Sequence, residues 1–325
     1  MLLATAAILV GFVILIWSAD LFITGAAAIA SNMGLSPIVI GLTIVSIGTS
    51  APEILVSVTA ALTDAGELAI GNAIGSNIAN IGLVLGATLL VAPMTVQPSC
   101  MRRELPMLLM VTLGTALLIL DGVLSRVDGL IMLATLTIIM IQMIRGEEAD
   151  PELLQEVSSI TAAPLGLGKA WLTFFLGLAL LVGSSRLLVW GATEVAEYLG
   201  VSQLIIGLTV VAIGTSLPEL AATIASAMRG QTDIAVGNVI GSNMFNLLAV
   251  MAIPGLVTPE ILEPLVLYRD YLTMTAMTVL LAAAIFLSRG RRKSGTCGQA
   301  YLGRSVGMLL LSVYALYYYW LYRTR

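Results

Sequence analysis

The sequence predicts an all-α membrane protein: ten transmembrane helices in two inverted five-helix repeats. Three observations carry that prediction. Of 325 residues, 58% are hydrophobic and only 10% charged, whereas about a quarter of an ordinary soluble domain is charged. Charge-poor runs close to the roughly 20 residues that cross a bilayer recur along the whole chain. The two halves of the chain also repeat one another.

The apolar runs fall at about 3–30, 37–62, 67–93, 104–121, 127–145, 169–198, 202–228, 233–257, 268–287 and 301–322. The first and sixth are long for a span and must tilt or protrude. The first has no basic residues ahead of it, so it reads as a spanning helix and not a cleaved leader. Residues 146–168 form an acidic linker with Glu147, Glu148, Asp150, Glu152 and Glu156, read as a solvated connection. The chain therefore divides into a first transmembrane repeat (1–145), the linker (146–168) and a second, inverted repeat (169–325).

Composition also excludes. No basic patch with interleaved aromatics points to nucleic acid. Cys100 and Cys297 are too few and too far apart for a disulfide framework or a thiolate metal centre. With no histidine in the chain, and no serine beside an evident base, hydrolytic chemistry lacks its parts. No cofactor is expected.

Basic residues set the orientation. With the N-terminus outside, the inner loops carry Arg102, Arg103, Arg145, Lys169, Arg229, Arg289, Arg291, Arg292, Lys293 and Arg304. The outer side keeps Arg126, Arg269, Arg323 and Arg325. Both termini are expected outside a multi-pass plasma membrane protein.

Self-comparison is the most informative step. GLSPIVIGLTIVSIGTSAPE (34–53) and GVSQLIIGLTVVAIGTSLPE (200–219) share thirteen of twenty positions without a gap. At the same offset of 166, ELAIGNAIGSNIAN (67–80) matches DIAVGNVIGSNMFN (233–246), and Arg103-Glu104 recurs as Arg269-Asp270. Five helices per half is an odd number, so the second half must sit upside down in the membrane. Inverted repeats are typical of secondary transporters, which bind substrate near the midplane.

Glu53 and Glu219 are each the one charged residue of an apolar run. An ionisable group at membrane depth normally faces a cavity or a partner. On a continuous helix Thr49 and Ser50 would share the face of Glu53, as Thr215 and Ser216 would that of Glu219. Pro52 and Pro218 lack an N–H, which frees the carbonyls of Gly48 and Gly214 and breaks the helix locally. Asn72, Ser76 and Asn80 form one stripe with Asn77 beside it; Asn238, Ser242, Asn243 and Asn246 repeat the pattern. Carboxylate, hydroxyl, amide and carbonyl oxygens without sulfur or imidazole suit a hard cation. Interhelical hydrogen bonding is the competing account for any single Ser or Asn. It accounts less well for the duplication of the whole set with both acids. Asp20 and Arg186 share the offset of 166; a charge pair or placement near a helix end would each explain them.

GTSAPE with GNAIGSNIAN, and GTSLPE with GNVIGSNMFN, resemble the two alpha-repeats of the sodium/calcium exchanger family, in the cation/calcium exchanger superfamily. The resemblance covers both halves and implies ion sites between the second, third, seventh and eighth helices. It implies Glu53 and Glu219 as central ligands, with Thr49, Ser50, Thr215 and Ser216 adding hydroxyl or carbonyl oxygens. Ser46 and Ala212 would add backbone carbonyls, and Ser76, Asn80, Ser242 and Asn246 would complete the ring. Members often carry an aspartate where this chain has Asn246, so this site holds two carboxylates, matched by one calcium, two sodium ions or two protons. The short linker fits a compact prokaryotic form in an inner membrane. The resemblance implies antiport of calcium against sodium by alternating access. Antiport of calcium, sodium or potassium against protons on the same fold stays open, and a cation channel is the reading of a different class. Membrane lipid and the transported ions are the expected partners.

Overall fold

The computed structural model describes residues 1–63, 65–145, 165–200, 212–288 and 299–323. In chain order the helices begin with α1 (Leu2–Met33), α2 (Pro37–Thr49), α3 (Ala51–Leu62) and α4 (Gly66–Val91). Strand β1 (Met94–Val96) and the short α5 (Pro98–Arg102) lead into α6 (Glu104–Leu118), β2 (Val123–Leu124) and α7 (Arg126–Arg145). The second half contains α8 (Leu167–Tyr198), α9 (Ala212–Thr215), α10 (Leu217–Met228) and α11 (Thr232–Val257). It closes with β3 (Glu260–Ile261), α12 (Val266–Leu287), β4 (Ala300–Leu302) and α13 (Arg304–Arg323). The acidic linker lies outside the described residues up to 164, as do Cys297 and residues 202–211 of the expected seventh span.

Among the described residues seven helices are long and apolar enough to cross a bilayer, or eight with α2 and α3 counted as one bent span. The bend between α2 and α3 is 47°. Pro52 sits in the first turn of α3, where its missing N–H costs nothing. Glycine ends α1: Gly34 takes the left-handed conformation, φ 65°, and its N–H bonds the Ala30 carbonyl. The final span begins later than its apolar run suggests. Tyr301 and Leu302 belong to β4, paired antiparallel with Thr95 and Met94 of β1, because backbone leaving the bilayer must find partners elsewhere. A second small pairing joins Val123–Leu124 to Glu260–Ile261.

Leu9, Phe12, Val13, Ile16 and Trp17 of α1 are exposed, a helically spaced apolar face suited to lipid and not to water. The opposite face packs along α8 with unusually close backbones. A Cβ at Gly25 would meet Phe174 and one at Gly177 would meet Phe22; Gly11 abuts Leu188, and Gly191 abuts Ile8. Ascending numbers in α1 face descending numbers in α8, so the two helices are antiparallel. Shifting each contact by 166 turns the first set into the second. Gly11–Leu188 becomes Gly177–Phe22, and Gly25–Phe174 becomes Gly191–Ile8.

The remaining helices form the core that holds the duplicated motifs. There α2 crosses α11 at glycines: a Cβ at Gly41 would lie 2.6 Å from the Ile234 carbonyl oxygen, and one at Gly241 would lie 2.5 Å from that of Leu42. Small residues permit this approach. Asp20 pairs with Arg229, at the C-terminal end of α10, and not with Arg186; Arg229 also donates to the Thr24 hydroxyl. The two halves are thus tied by charge at that point, through a partner that the offset does not point to.

Candidate cation site

Glu53 and Glu219 are each 1% exposed. Both stand in the first turn of a helix, α3 or α10, directly after a proline. The preceding serines share one non-helical conformation, φ −80° ψ 5° at Ser50 and φ −88° ψ 4° at Ser216, in the sparsely used bridge region. Each GTS-x-PE motif therefore ends one helix and starts another with an acid near the positive end of its dipole, where a carboxylate is favoured.

The hydroxyls of Thr49 and Ser50 bond across to the other repeat. The Ser50 hydroxyl donates to Glu219 Oε1 at 3.1 Å, and the Thr49 hydroxyl donates to Asn238 Oδ1 at 3.1 Å. Asn238 Nδ2 in turn donates to the Thr223 hydroxyl at 2.9 Å. The first-half counterparts are more local: Asn72 Nδ2 donates to the Glu53 carbonyl at 3.2 Å and to the Ser57 hydroxyl at 3.5 Å. Asn72 and Asn238 are thereby occupied in bracing the broken helices. The hydroxyls they use, Ser57 and Thr223, are themselves 166 residues apart, a sign of their role that the sequence carries.

Asn80 and Asn246 each open a π-helical stretch, Asn80–Leu85 and Asn246–Val250. π-turns inside α-helices are frequent at functional sites. The stretch at Asn80 contacts α10, which carries Glu219, and the stretch at Asn246 contacts α3, which carries Glu53. The four motif segments therefore converge in one region. Ser46, Thr49, Ser50, Ser76, Ser216 and Ser242 are buried with them. Thr215 ends α9 and lines a cavity of about 410 Å³ together with Glu67, Asn72 and Asp270. Ala212 begins α9. The Ser46 carbonyl accepts the Ser50 N–H at 2.9 Å and, more distantly, the Thr49 hydroxyl.

Buried polar atoms are nearly always hydrogen-bonded. Here Glu53 Oε1 and Oε2, Glu219 Oε2, Asn80 Oδ1, Asn246 Oδ1, Ser216 Oγ and Ser242 Oγ have no partner among the described residues. Such a gathering of oxygens, two carboxylates among them, is a donor set for a hard cation. No group of three acid, histidine or cysteine side chains able to hold a metal ion occurs among the described residues, so the formal charge of the cluster comes from two glutamates.

One freed carbonyl serves a different purpose from the expected one. Gly214 O accepts the Ser185 hydroxyl of α8 at 2.9 Å, so the proline break in the second half is partly repaired by a neighbouring helix. Ser185 escapes detection in the repeat because its matched position is Ala19.

The family profile described as sodium/calcium exchanger protein matches residues 3–145 and 169–323. The chain is 44% identical to the putative antiporter CaxA of Alkalimonas amylolytica, over 99% of each chain. It is 31% identical to the sodium/calcium exchanger MaX1 of Methanosarcina acetivorans, over 87% of this chain and 91% of that one. A solved structure of the sodium-calcium exchanger NCX_Mj, soaked with zero sodium and calcium, superimposes with a TM-score of 0.83 at 30% identity, covering 97% of this chain and 98% of the other. The matched profile spans both halves and both glutamate motifs, and the chain belongs to the sodium/calcium exchanger protein family, a family of membrane cation antiporters.

Proposed function

We propose that this protein exchanges calcium for sodium across a prokaryotic inner membrane by alternating access. The observation that carries the reading is the convergence of two buried, incompletely bonded glutamates from two copies of one motif. Glu53 and Glu219 act as the central ligands. Thr49, Ser50, Thr215 and Ser216, the carbonyls of Ser46 and Ala212, and the side chains of Ser76, Asn80, Ser242 and Asn246 supply neutral oxygens. Two carboxylates are balanced by one calcium or by two sodium ions, so either cargo leaves the site neutral and able to cross.

Ten spans in two inverted repeats, 1–145 and 169–325, joined by the 146–168 linker, underlie the exchange. The contacts between α1 and α8 that interchange under the offset of 166 support this arrangement. Both termini face outward. Names of the relatives point the same way: one is named a putative antiporter and one a sodium/calcium exchanger.

Coupling to protons is the second reading. It is favoured by Asn246, which leaves the site with two acids that two protons would neutralise. Radiolabelled calcium uptake into vesicles holding the purified protein separates the two. Uptake driven by an outward sodium gradient and indifferent to a proton gradient is expected. Uptake that follows the proton gradient with sodium absent assigns the second reading, and no calcium movement under either gradient overturns calcium as the cargo in both.

A further inference from the structure

Asn77 and Asn243 stand one position after Ser76 and Ser242, are copies of one another at the offset of 166, and are each 1% exposed. They meet. Asn77 Nδ2 donates to the Asn243 backbone carbonyl at 3.2 Å and approaches Met274 Sδ at 3.4 Å. A carbonyl only accepts, so this contact fixes which end of the Asn77 amide is nitrogen.

The side chain of Asn243 has a different partner. Its Oδ1 accepts from Asn80 Nδ2 at 3.1 Å. The amide group is planar and its oxygen and nitrogen point apart. With its nitrogen tied to Asn243, Asn80 must turn its oxygen the other way. That oxygen is buried and has no hydrogen-bond partner among the described residues, and the turn that Asn80 opens packs on the helix of Glu219. The terminal torsion of asparagine is broad and roughly two-fold. An untied Asn80 would present its NH₂ to a cation as readily as its oxygen.

We propose that Asn243 is a positioning residue that sets the cation affinity of the site by holding Asn80 with its amide oxygen, and not its NH₂, toward the ion. The inference rests on Asn80 being a ligand, as in the proposed function. The acceptor is the end of Asn243 that matters, since its Nδ2 is buried without a partner among the described residues. An aspartate there would keep the tie; an aliphatic side chain would not. The matching tie between Asn77 and Asn246 is not made: Asn77 Oδ1 and both amide atoms of Asn246 have no partner among the described residues.

The test is equilibrium binding of calcium and of sodium to the purified full-length protein, read by ion-dependent thermal shift and by isotope binding. Asn243→Leu is expected to weaken binding about tenfold, the scale of one hydrogen bond to a ligand. Asn80→Ala should weaken it at least as much. In the Asn80→Ala background Asn243→Leu should add nothing, because it has no amide left to orient. Asn243→Asp should bind at least as tightly as the wild type. A folded Asn243→Leu protein with wild-type affinity overturns the inference, and so do losses that multiply in the double variant. Asn243→Ala replaces Asn243→Leu if the larger side chain prevents folding. A wild type that binds neither ion overturns the ion-site reading itself, which is a different failure from a wild type that binds and an Asn243→Leu protein that binds equally well.

Discussion

Asn80 and Asn246 occupy the same position in two nearly identical motifs, yet they are held differently. The Asn80 amide is tied through its nitrogen to Asn243; neither amide atom of Asn246 has a hydrogen-bond partner among the described residues. The acids differ likewise. Glu219 Oε1 accepts from Ser50, whereas both oxygens of Glu53 lack a partner among the described residues. Matched residues therefore do not have matched surroundings. The inverted arrangement proposed above would account for this difference. Exchanging the conformations of two such repeats turns a site facing one side into a site facing the other. A state in which the copies were equivalent would favour neither side, so a conformer committed to one side must break the likeness at the ligands.

Neutralising the acids tests that comparison with the largest effect. Glu53→Gln and Glu219→Gln should each reduce calcium uptake by about 100-fold or more, since removing one partner of a buried charge pair costs on the order of 3–5 kcal/mol. Ion-free stability should move in the opposite direction, because a buried unpaired carboxylate is costly and an amide less so. Glu53→Gln should raise the melting temperature more than Glu219→Gln, by about 2–4 °C for each kcal/mol gained. Equal shifts would mean that the Ser50 hydrogen bond does not distinguish the two acids. A variant that transports normally would remove its glutamate from the site.

Much of this site is legible in the sequence because the chain states it twice. The offset of 166 picks out Glu53 and Glu219, the serines and the asparagines without reference to any fold. Apolar run lengths place most helices to within a few residues. What sequence spacing hides is where side chains go once a helix breaks. Counting three and four residues back from Glu53 puts Thr49 and Ser50 on its face, but spacing does not reveal that their hydroxyls bond Asn238 and Glu219 of the second repeat. The start of the last span was hidden for another reason. Tyr301 and Leu302 are as suited to a helix as to a strand, and only the distant Met94–Val96 segment selects β4. Asp20 illustrates a third limit: its partner Arg229 is set by the crossing of α1 and α10, which the offset does not encode.

A smaller effect separates the two bracing amides. Asn238 is fully buried and joins Thr49 to Thr223, two buried hydroxyls, across the repeats. Asn72 is partly exposed, and its contacts at 3.2 and 3.5 Å stay within the first half. Asn238→Leu should therefore destabilise by about 2–4 kcal/mol, leaving two buried hydroxyls without this partner. Asn72→Leu should cost about 1 kcal/mol. Thermal unfolding of the purified proteins measures both. Equal losses would show that water or lipid headgroups satisfy the Asn238 partners as easily as those of Asn72.

The smallest effect concerns the repair of the broken helices. Ser185 donates to the Gly214 carbonyl from α8, and its matched position in α1 is Ala19, which has no hydroxyl to give Gly48. Ser185→Ala should then cost about 1 kcal/mol, one buried hydrogen bond, with ion affinity changed less than threefold. Ser184, its neighbour, donates to the Leu181 carbonyl of its own helix at 3.0 Å. Ser184→Ala should leave stability within about 0.5 kcal/mol, since a helix carbonyl already has its backbone donor. The contrast separates a hydroxyl that bridges two helices from one that merely folds back on its own. If Ser184→Ala proves as costly as Ser185→Ala, packing between α1 and α8 at that level, and not the carbonyl freed by Pro218, accounts for both.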